Sequence, residues 1–300
     1  MKKILVTGGT TFVSRYAAEY FSKRDYEVYV LNRGNKEQVP GVKLIKADRH
    51  QLKDVLKDIY FDVVADITSY NKTDISDLCD ALGSFGQYIM ISSSAVYPET
   101  EQQPFKEDSP ISVNKYWGKY GTDKIEAEAE LLKRVEDAYI LRPPYLYGPM
   151  NNVYREAFVF ECAEKNRKFY LPQEGQMKLQ FFHVEDLCRL MEIIIETKPD
   201  NHIFNVGNEQ SITIKEWVEL CYKCVGKEPE FINVLGDIEQ RNYFSFYGYE
   251  YALDISRQKQ ILDKTIPLQQ GLEQAYQWYI NNKDSVVKKN LIQYIDENLA

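Results

Sequence analysis

The chain of 300 residues has no apolar run approaching the roughly 18 residues that a membrane-spanning helix needs. Its opening, Met-Lys-Lys-Ile-Leu-Val-Thr-Gly, enters a strand pattern too early for a secretory leader, so a cytoplasmic protein without membrane contact is expected. Positive charge is not in excess: 37 Lys and Arg stand against 45 Asp and Glu, a net charge of −8 with a pI near 5.2. Nucleic-acid binding relies on basic residues that displace counterions, and no such partner is expected. Cysteine is sparse, and an odd number of five with no leader predicts reduced thiols. Cys221-x-x-Cys224 has no second pair and no nearby histidine, whereas structural zinc takes four ligands, so no metal is expected. Internal repeats and low-complexity tracts are absent.

What is present is ordinary for a folded chain, 44% apolar and 27% charged. The stretch from Lys3 to Arg15 reads as a strand, a glycine turn and an amphipathic helix. Gly8 and Gly9 would let backbone N–H groups around Thr11, Phe12 and Val13 approach a pyrophosphate seated on the positive end of that helix. The usual spacing asks for glycine at Gly8, Thr11 and Ser14, and two of the three are substituted. A second strand, Glu27 to Leu31, ends in Asn32-Arg33. An acidic side chain there would select NAD, whereas an arginine accommodates the 2′-phosphate of NADP, so NADP is expected, with NAD as the alternative. A third strand, Val42 to Ile45, leads to Asp48-Arg49, and Lys53 to Ile59 reads as a short helix. Phe61 to Ile67, apolar apart from Asp62 and Asp66, suits a parallel strand covered on both faces. Asp74 to Leu82 reads as a helix, Tyr88 to Ser92 as a strand delivering Ser93, and Asp123 to Glu136 as a long helix. Past Pro149 the alternation weakens. Val153 to Asn166 reads as a helix, Tyr243 to Tyr249 as an edge strand or a cleft lining, and Ser285 to Leu299 as an amphipathic terminal helix.

Tyr120 and Lys124 lie one helix turn apart, so an ammonium can sit near a phenol and lower its pKa. The glycine turn, a serine at the end of a later strand and Tyr120-x-x-x-Lys124 together resemble the short-chain dehydrogenase/reductase family in its extended form. Leu141-Arg142-Pro143-Pro144-Tyr145-Leu146-Tyr147-Gly148-Pro149, Phe182-His183-Val184-Glu185-Asp186-Leu187, Phe204-Asn205-Val206-Gly207 and Leu253-Asp254-Ile255-Ser256 extend the similarity along the chain. The opening and Asn32-Arg33-Gly34 are most similar to an atypical branch of the NAD-dependent epimerase/dehydratase group.

The resemblance implies an α/β fold: a doubly wound parallel (Rossmann) sheet over residues 1–150, rejoined near 176–210, with a smaller, discontinuous α+β substrate lobe over 151–300. It implies Ser93, Tyr120 and Lys124 as catalytic residues. For the cofactor it implies Gly8, Gly9, Thr11, Phe12, Val13, Asn32, Arg33, Asp48, Arg49, Tyr120 and Lys124. The activity implied is that of an epimerase or reductase moving a hydride at a sugar-like hydroxyl or carbonyl, with a small-molecule substrate such as a nucleotide sugar. Dehydration is disfavoured, because Ser94 and Ala95 stand where dehydratases carry acids. Tyr145 and Leu179 replace an Asn and an Arg that grip a nucleotide diphosphate, which leaves Lys178, Arg155 or Arg241 to compensate. A homodimer through the Tyr120 helix and the helix of Asp77 to Leu82 is implied as well. Two alternatives stand: a catalytically silent nucleotide sensor, and an RNA-binding protein like some members of the atypical branch.

Overall fold

The computed structural model describes residues 1–300 and divides them into two compact units. The first unit contains Met1–Pro144, Val184–Gly207 and Leu253–Thr265, and the second contains Tyr145–His183, Asn208–Ala252 and Ile266–Ala300. In the first, strands β1 (Lys2–Thr7), β2 (Tyr26–Asn32), β3 (Lys43–Lys46), β4 (Phe61–Asp66), β5 (Phe85–Ile91) and β6 (Tyr139–Arg142) alternate with helices α1 (Phe12–Ser22), α2 (Lys72–Ala81) and α3 (Lys119–Arg134). With an edge strand at Ile203–Asn205 they form a seven-stranded parallel sheet in the order Ile203–Asn205, β6, β5, β4, β1, β2, β3. Helices cover both faces, so the inner strands are apolar throughout: Ile4, Leu5, Val6, Val63, Val64 and Ala65 are all fully buried. The strand order reverses between β1 and β4, and a crevice for ligands opens at such a switch point, beyond Thr7 and Asp66.

Several helix boundaries of the first unit depart from the periodicity. Over residues 53–59 there is no helix but a series of separate turns, Val55 N to Leu52 O, Lys57 N to Asp54 O and Ile59 N to Leu56 O. Leu52 and Leu56 are buried four residues apart, but Lys53 has a φ of 48° between them, which interrupts the helix. Helix α2 starts earlier than expected because Asn71 caps it: its side chain accepts from Asp74 N at 3.0 Å while Asp74 accepts from Asn71 N at 3.2 Å.

In the second unit, β7 (Tyr145–Tyr147) pairs in parallel with Phe181–His183, and α4 (Glu156–Glu164) is shorter than the expected 153–166. Val153 instead bridges Val287, and Asn166 takes a φ of 53°. Tyr243 to Tyr249 does not form an edge strand: Tyr243, Phe244 and Phe246 are buried, with Phe246 5.0 Å from the Trp217 ring. This segment is core because its aromatic area is worth more buried than exposed. Cys221 is fully buried on the helix Ile214–Cys224, its thiol pushed up by desolvation, and all five cysteines are free. His183 is buried against Tyr147, its imidazole pushed down to about 4 by desolvation, and is a packed residue. The terminal helix is confined to Leu291–Asn298. No helix is long and apolar enough to cross a membrane.

Candidate active site

The chain leaves β1 through Gly8 and Gly9, whose φ angles are +91° and +87°. A Cβ on Gly8 would come within 2.8 Å of Ser14 Oγ and Thr68 Cγ2, and one on Gly9 within 2.6 Å of Val30 Cγ1. Both positions therefore demand glycine for conformation and for space. The two replaced glycines are accommodated locally. Ser14 turns its hydroxyl back to donate to Thr11 O at 2.9 Å, and Thr11, extended at φ −145°, precedes Phe12 without a side-chain cap. The N-terminal N–H groups of α1, at Phe12 and Val13, are thus left uncapped by any side chain at the positive end of the helix dipole. Open donors and a cradle that a Cβ would fill fit a diphosphate.

Beside this turn, Asn32 is held by its own loop: its Nδ2 donates to Gly8 O at 2.6 Å and to Gln38 Oε1 at 2.9 Å, and its Oδ1 accepts from Gly34 N at 2.8 Å. Arg33 is exposed. Lys36, outside the motifs above, donates to Thr11 Oγ1 at 3.3 Å and adds a second cation to the loop. Its signal was its place two residues beyond Asn32-Arg33-Gly34. Asp48 is exposed after β3 and accepts from His50 N at 3.0 Å. Arg49 faces inward, donating to Thr68 Oγ1 at 3.0 Å, Ser69 Oγ at 2.8 Å and Asp74 O at 3.2 Å.

Beneath the turn lies a buried carboxylate. Asp66 is fully buried at the end of β4 and accepts from Thr7 Oγ1 at 2.8 Å, from Tyr88 OH at 2.7 Å and from Ser69 Oγ. Its counter-charge is Arg49, at 3.6 Å. Thr7 Oγ1 in turn accepts from Ile67 N at 2.9 Å and Thr68 N at 3.1 Å, so one network fixes the end of β1 and the loop after β4. The break that Asp66 makes in an otherwise apolar strand was its visible trace in the sequence.

Of the three consecutive serines after β5, Ser92 and Ser94 are buried and Ser93 is half-buried. Ser92 donates to Glu128, which also holds Arg142 through contacts of 2.6 and 3.1 Å; both partners are 3% exposed. Ser93 Oγ accepts from Ala95 N at 3.1 Å, capping a short turn. The start of α3 packs against that turn: a Cβ on Gly121 would stand 2.5 Å from Ala95 O. Only a glycine lets the Tyr120 backbone approach so closely. Tyr120 is 40% exposed. One turn on, Lys124 is 2% exposed and donates to Ser69 O at 2.7 Å and Ile91 O at 2.8 Å. Burial pushes its ammonium down to about 8 against the opposing pull of Asp66, Glu128 and Asp74. An ammonium has three donors, so one remains after these two carbonyls. Ser93 lies on the turn against which this helix start packs, and the accessible phenol and the dehydrated cation stand one turn apart on the helix, groups of a kind suited to moving a proton on and off an oxygen.

A model of the NAD dependent epimerase/dehydratase family matches residues 4–207. Among curated proteins, the chain is similar to the chloroplast stem-loop binding protein of 41 kDa b of Arabidopsis thaliana, 27% identical over 301 residues that span 92% of this chain and 78% of the relative. Among solved structures, the Bordetella bronchiseptica enzyme WbmH in complex with NAD+ superposes with a TM-score of 0.77 at 18% identity, covering 94% of this chain and 99% of that one. UDP-glucuronic acid 4-epimerase from Bacillus cereus, in complex with UDP-glucuronic acid and NAD, gives 0.74 at 22% identity, covering 93% and 99%.

Proposed function

The chain belongs to the NAD-dependent epimerase/dehydratase family, and from that premise we propose that it is an NAD(P)-dependent epimerase or reductase acting on a sugar or sugar-nucleotide-like substrate through Ser93, Tyr120 and Lys124. The observation that carries this reading is Lys124, an ammonium at 2% exposure with two donors on backbone carbonyls and a third left over, one helix turn from an accessible phenol. Structures are known of neighbours with NAD and with a nucleotide sugar, which supports the substrate and cofactor class.

The dinucleotide would lie with its diphosphate on Gly8, Gly9, Thr11, Phe12 and Val13, and its adenosine toward Asn32, Arg33 and Asp48. When bound, a nicotinamide supplies the acceptor or donor of hydride. Tyr120 takes the proton of the substrate hydroxyl as the carbon loses hydride, and returns it in the reverse sense. Lys124 would hold the nicotinamide ribose with its remaining N–H and favours the phenolate by its charge. Ser93 donates to the substrate oxygen and steadies the charge that develops there. Ser94 and Ala95 provide no acid or base for eliminating water, so the reading stops at epimerisation or reduction. NADP is the preferred cofactor, because Asn32 cannot repel a 2′-phosphate and Arg33 and Lys36 can attract one.

The test is Tyr120→Phe, which removes one oxygen. Turnover of a sugar nucleotide accepted by the wild type should fall by about 10²–10⁴ with cofactor affinity retained, the usual worth of a general acid or base. Undiminished turnover would overturn the assignment. The name of the Arabidopsis relative favours a second reading, binding of a nucleic-acid stem-loop. The net charge of −8 opposes it.

A further inference from the structure

Lys124 is a buried cation whose hydrogen bonds both end on neutral carbonyls. At 2% exposure its ammonium donates to Ser69 O and Ile91 O, and the Tyr70 ring faces it from 5.1 Å. A charge taken out of water needs an opposite charge close by, or it gives up its proton. Glu128, one turn further along α3, is already held by Arg142 in a pair that is 3% exposed on each side. The balancing charge therefore has to come from another element, and the end of β4 with the loop after it carries one.

Ser69 is fully buried and sits among groups of both signs. Its carbonyl receives Lys124, while its hydroxyl donates to Asp66 and accepts from Arg49 at 2.8 Å. Arg49 in turn lies 3.6 Å from Asp66 and 3.6 Å from Asp74. Two carboxylates, Asp66 from β4 and Asp74 from α2, thus stand with two cations around one residue. Neither acid is free to turn away. Asp66 is pinned by the Thr7 and Tyr88 hydroxyls at 2.8 and 2.7 Å, and Asp74 accepts from Tyr70 N at 2.7 Å and Asn71 N at 3.2 Å. Burial pushes the Lys124 ammonium down; Asp66 opposes that push most, followed by Glu128 and Asp74, and Arg49 adds to it.

We propose that Asp66 is a positioning residue for Lys124: through Ser69 it fixes the carbonyl that receives the ammonium, and it presents to that ammonium the negative charge which its direct contacts lack. Arg49 works in the opposite sense, drawing on the same carboxylate. The Asp66 side chain enters no step of the proposed reaction and acts only through Lys124. The proposal deepens the enzyme reading and rests on it in treating Lys124 as a working group of the site.

The test reads the Lys124 ammonium itself, with neither substrate nor cofactor present. The full chain, carrying lysine labelled with ¹³C at Cε, is titrated by NMR from about pH 6 to about pH 11, a span that includes the ordinary lysine value, and the Lys124 signal is the one lost in Lys124→Arg. In the wild type it should turn at about 8. Asp66→Asn keeps the shape and removes the charge, and should move the midpoint down by about one unit, whereas Arg49→Gln should move it up. A fold merely loosened by either change would let water reach Lys124 and raise both midpoints toward the ordinary value. Breaking a buried pair can cost the fold, so Asp66→Asn is also combined with Arg49→Gln, and the double variant should turn below Arg49→Gln alone. A midpoint that Asp66→Asn leaves in place or raises, or a double variant no lower than Arg49→Gln, overturns the proposal. Where a sugar nucleotide is turned over, the descending limb of kcat/KM should move with the midpoint. Midpoints that move as stated in a chain that turns over no sugar nucleotide uphold the role of Asp66 and count against the enzyme reading alone.

Discussion

Lys124 sets the pH behaviour of the proposed site. Its ammonium, pushed down to about 8, is the form that donates hydrogen bonds and favours a phenolate. The rate, measured as kcat/KM across about pH 6 to 10, should therefore fall as pH rises through about 8, the descending limb of a general acid–base profile. Stability responds in the opposite sense. The folded-state value lies below the roughly 10.4 of an unfolded lysine, so the folded chain binds fewer protons between those values and is stabilised by Lys124 as pH rises across that window. A rate that stayed level to about pH 10 would remove Lys124 from the mechanism. Arg33 decides cofactor choice in the same local way. Arg33→Ala should weaken NADP by about ten- to more than a hundredfold and leave NAD nearly unchanged, since a charge-assisted contact is worth about 1.5–3 kcal/mol. Calorimetry on both cofactors checks this, and equal wild-type affinities would sink it. These residues were legible because their chemistry needs a fixed spacing. Lys36 and Asp66 left only a trace in the sequence, since their roles depend on hydroxyls that the fold brings to them from other elements.

At the scale of elements, the start of α3 decides whether the candidate site can assemble. The sequence pattern places this helix at Asp123 to Glu136. It begins at Lys119: Gly118 takes φ +49° as the cap, and Gly121 is the point of contact with Ala95 O. Gly121→Ala should push α3 from the serine turn, costing about 1–3 kcal/mol as overpacking does. Turnover should fall with it, because Tyr120 rides on the same turn. Thermal melting and kcat measured together check both effects, and a variant with wild-type values of each would show that the close approach is unimportant. Residues 53–59 fail the opposite way: their spacing is helical, but one residue with positive φ breaks them into turns.

For the whole molecule, the open question is self-association. The homodimer implied by the resemblance would bring α2 and α3 of two copies together. The outward residues of these helices include Lys72, Asp80, Glu126, Lys133 and Arg134, all exposed, with Arg134 paired to Asp80 at 2.6 Å and Lys72 3.9 Å from Glu130. Such a face buries charge on association, and screened charges attract less. A dimer formed there should weaken between about 0.05 and 0.5 M salt, as sedimentation at micromolar concentration would record. A mass of 35.1 kDa at every salt concentration would leave no dimer to explain.

The sequence by itself determined the strand and helix alternation of the first unit, the glycine turn and the Ser93, Tyr120 and Lys124 candidates. The elements and the turn rest on local periodicity, which the chain carries wherever it folds, and the three candidates rest on the resemblance of their motifs to the short-chain dehydrogenase/reductase pattern. Only the tertiary structure decided that residues 253–265 rejoin the first unit and that the aromatic run after Tyr243 is core. Those facts depend on pairing between residues tens to more than a hundred positions apart, such as Val153 with Val287, and no local pattern encodes a partner at that distance.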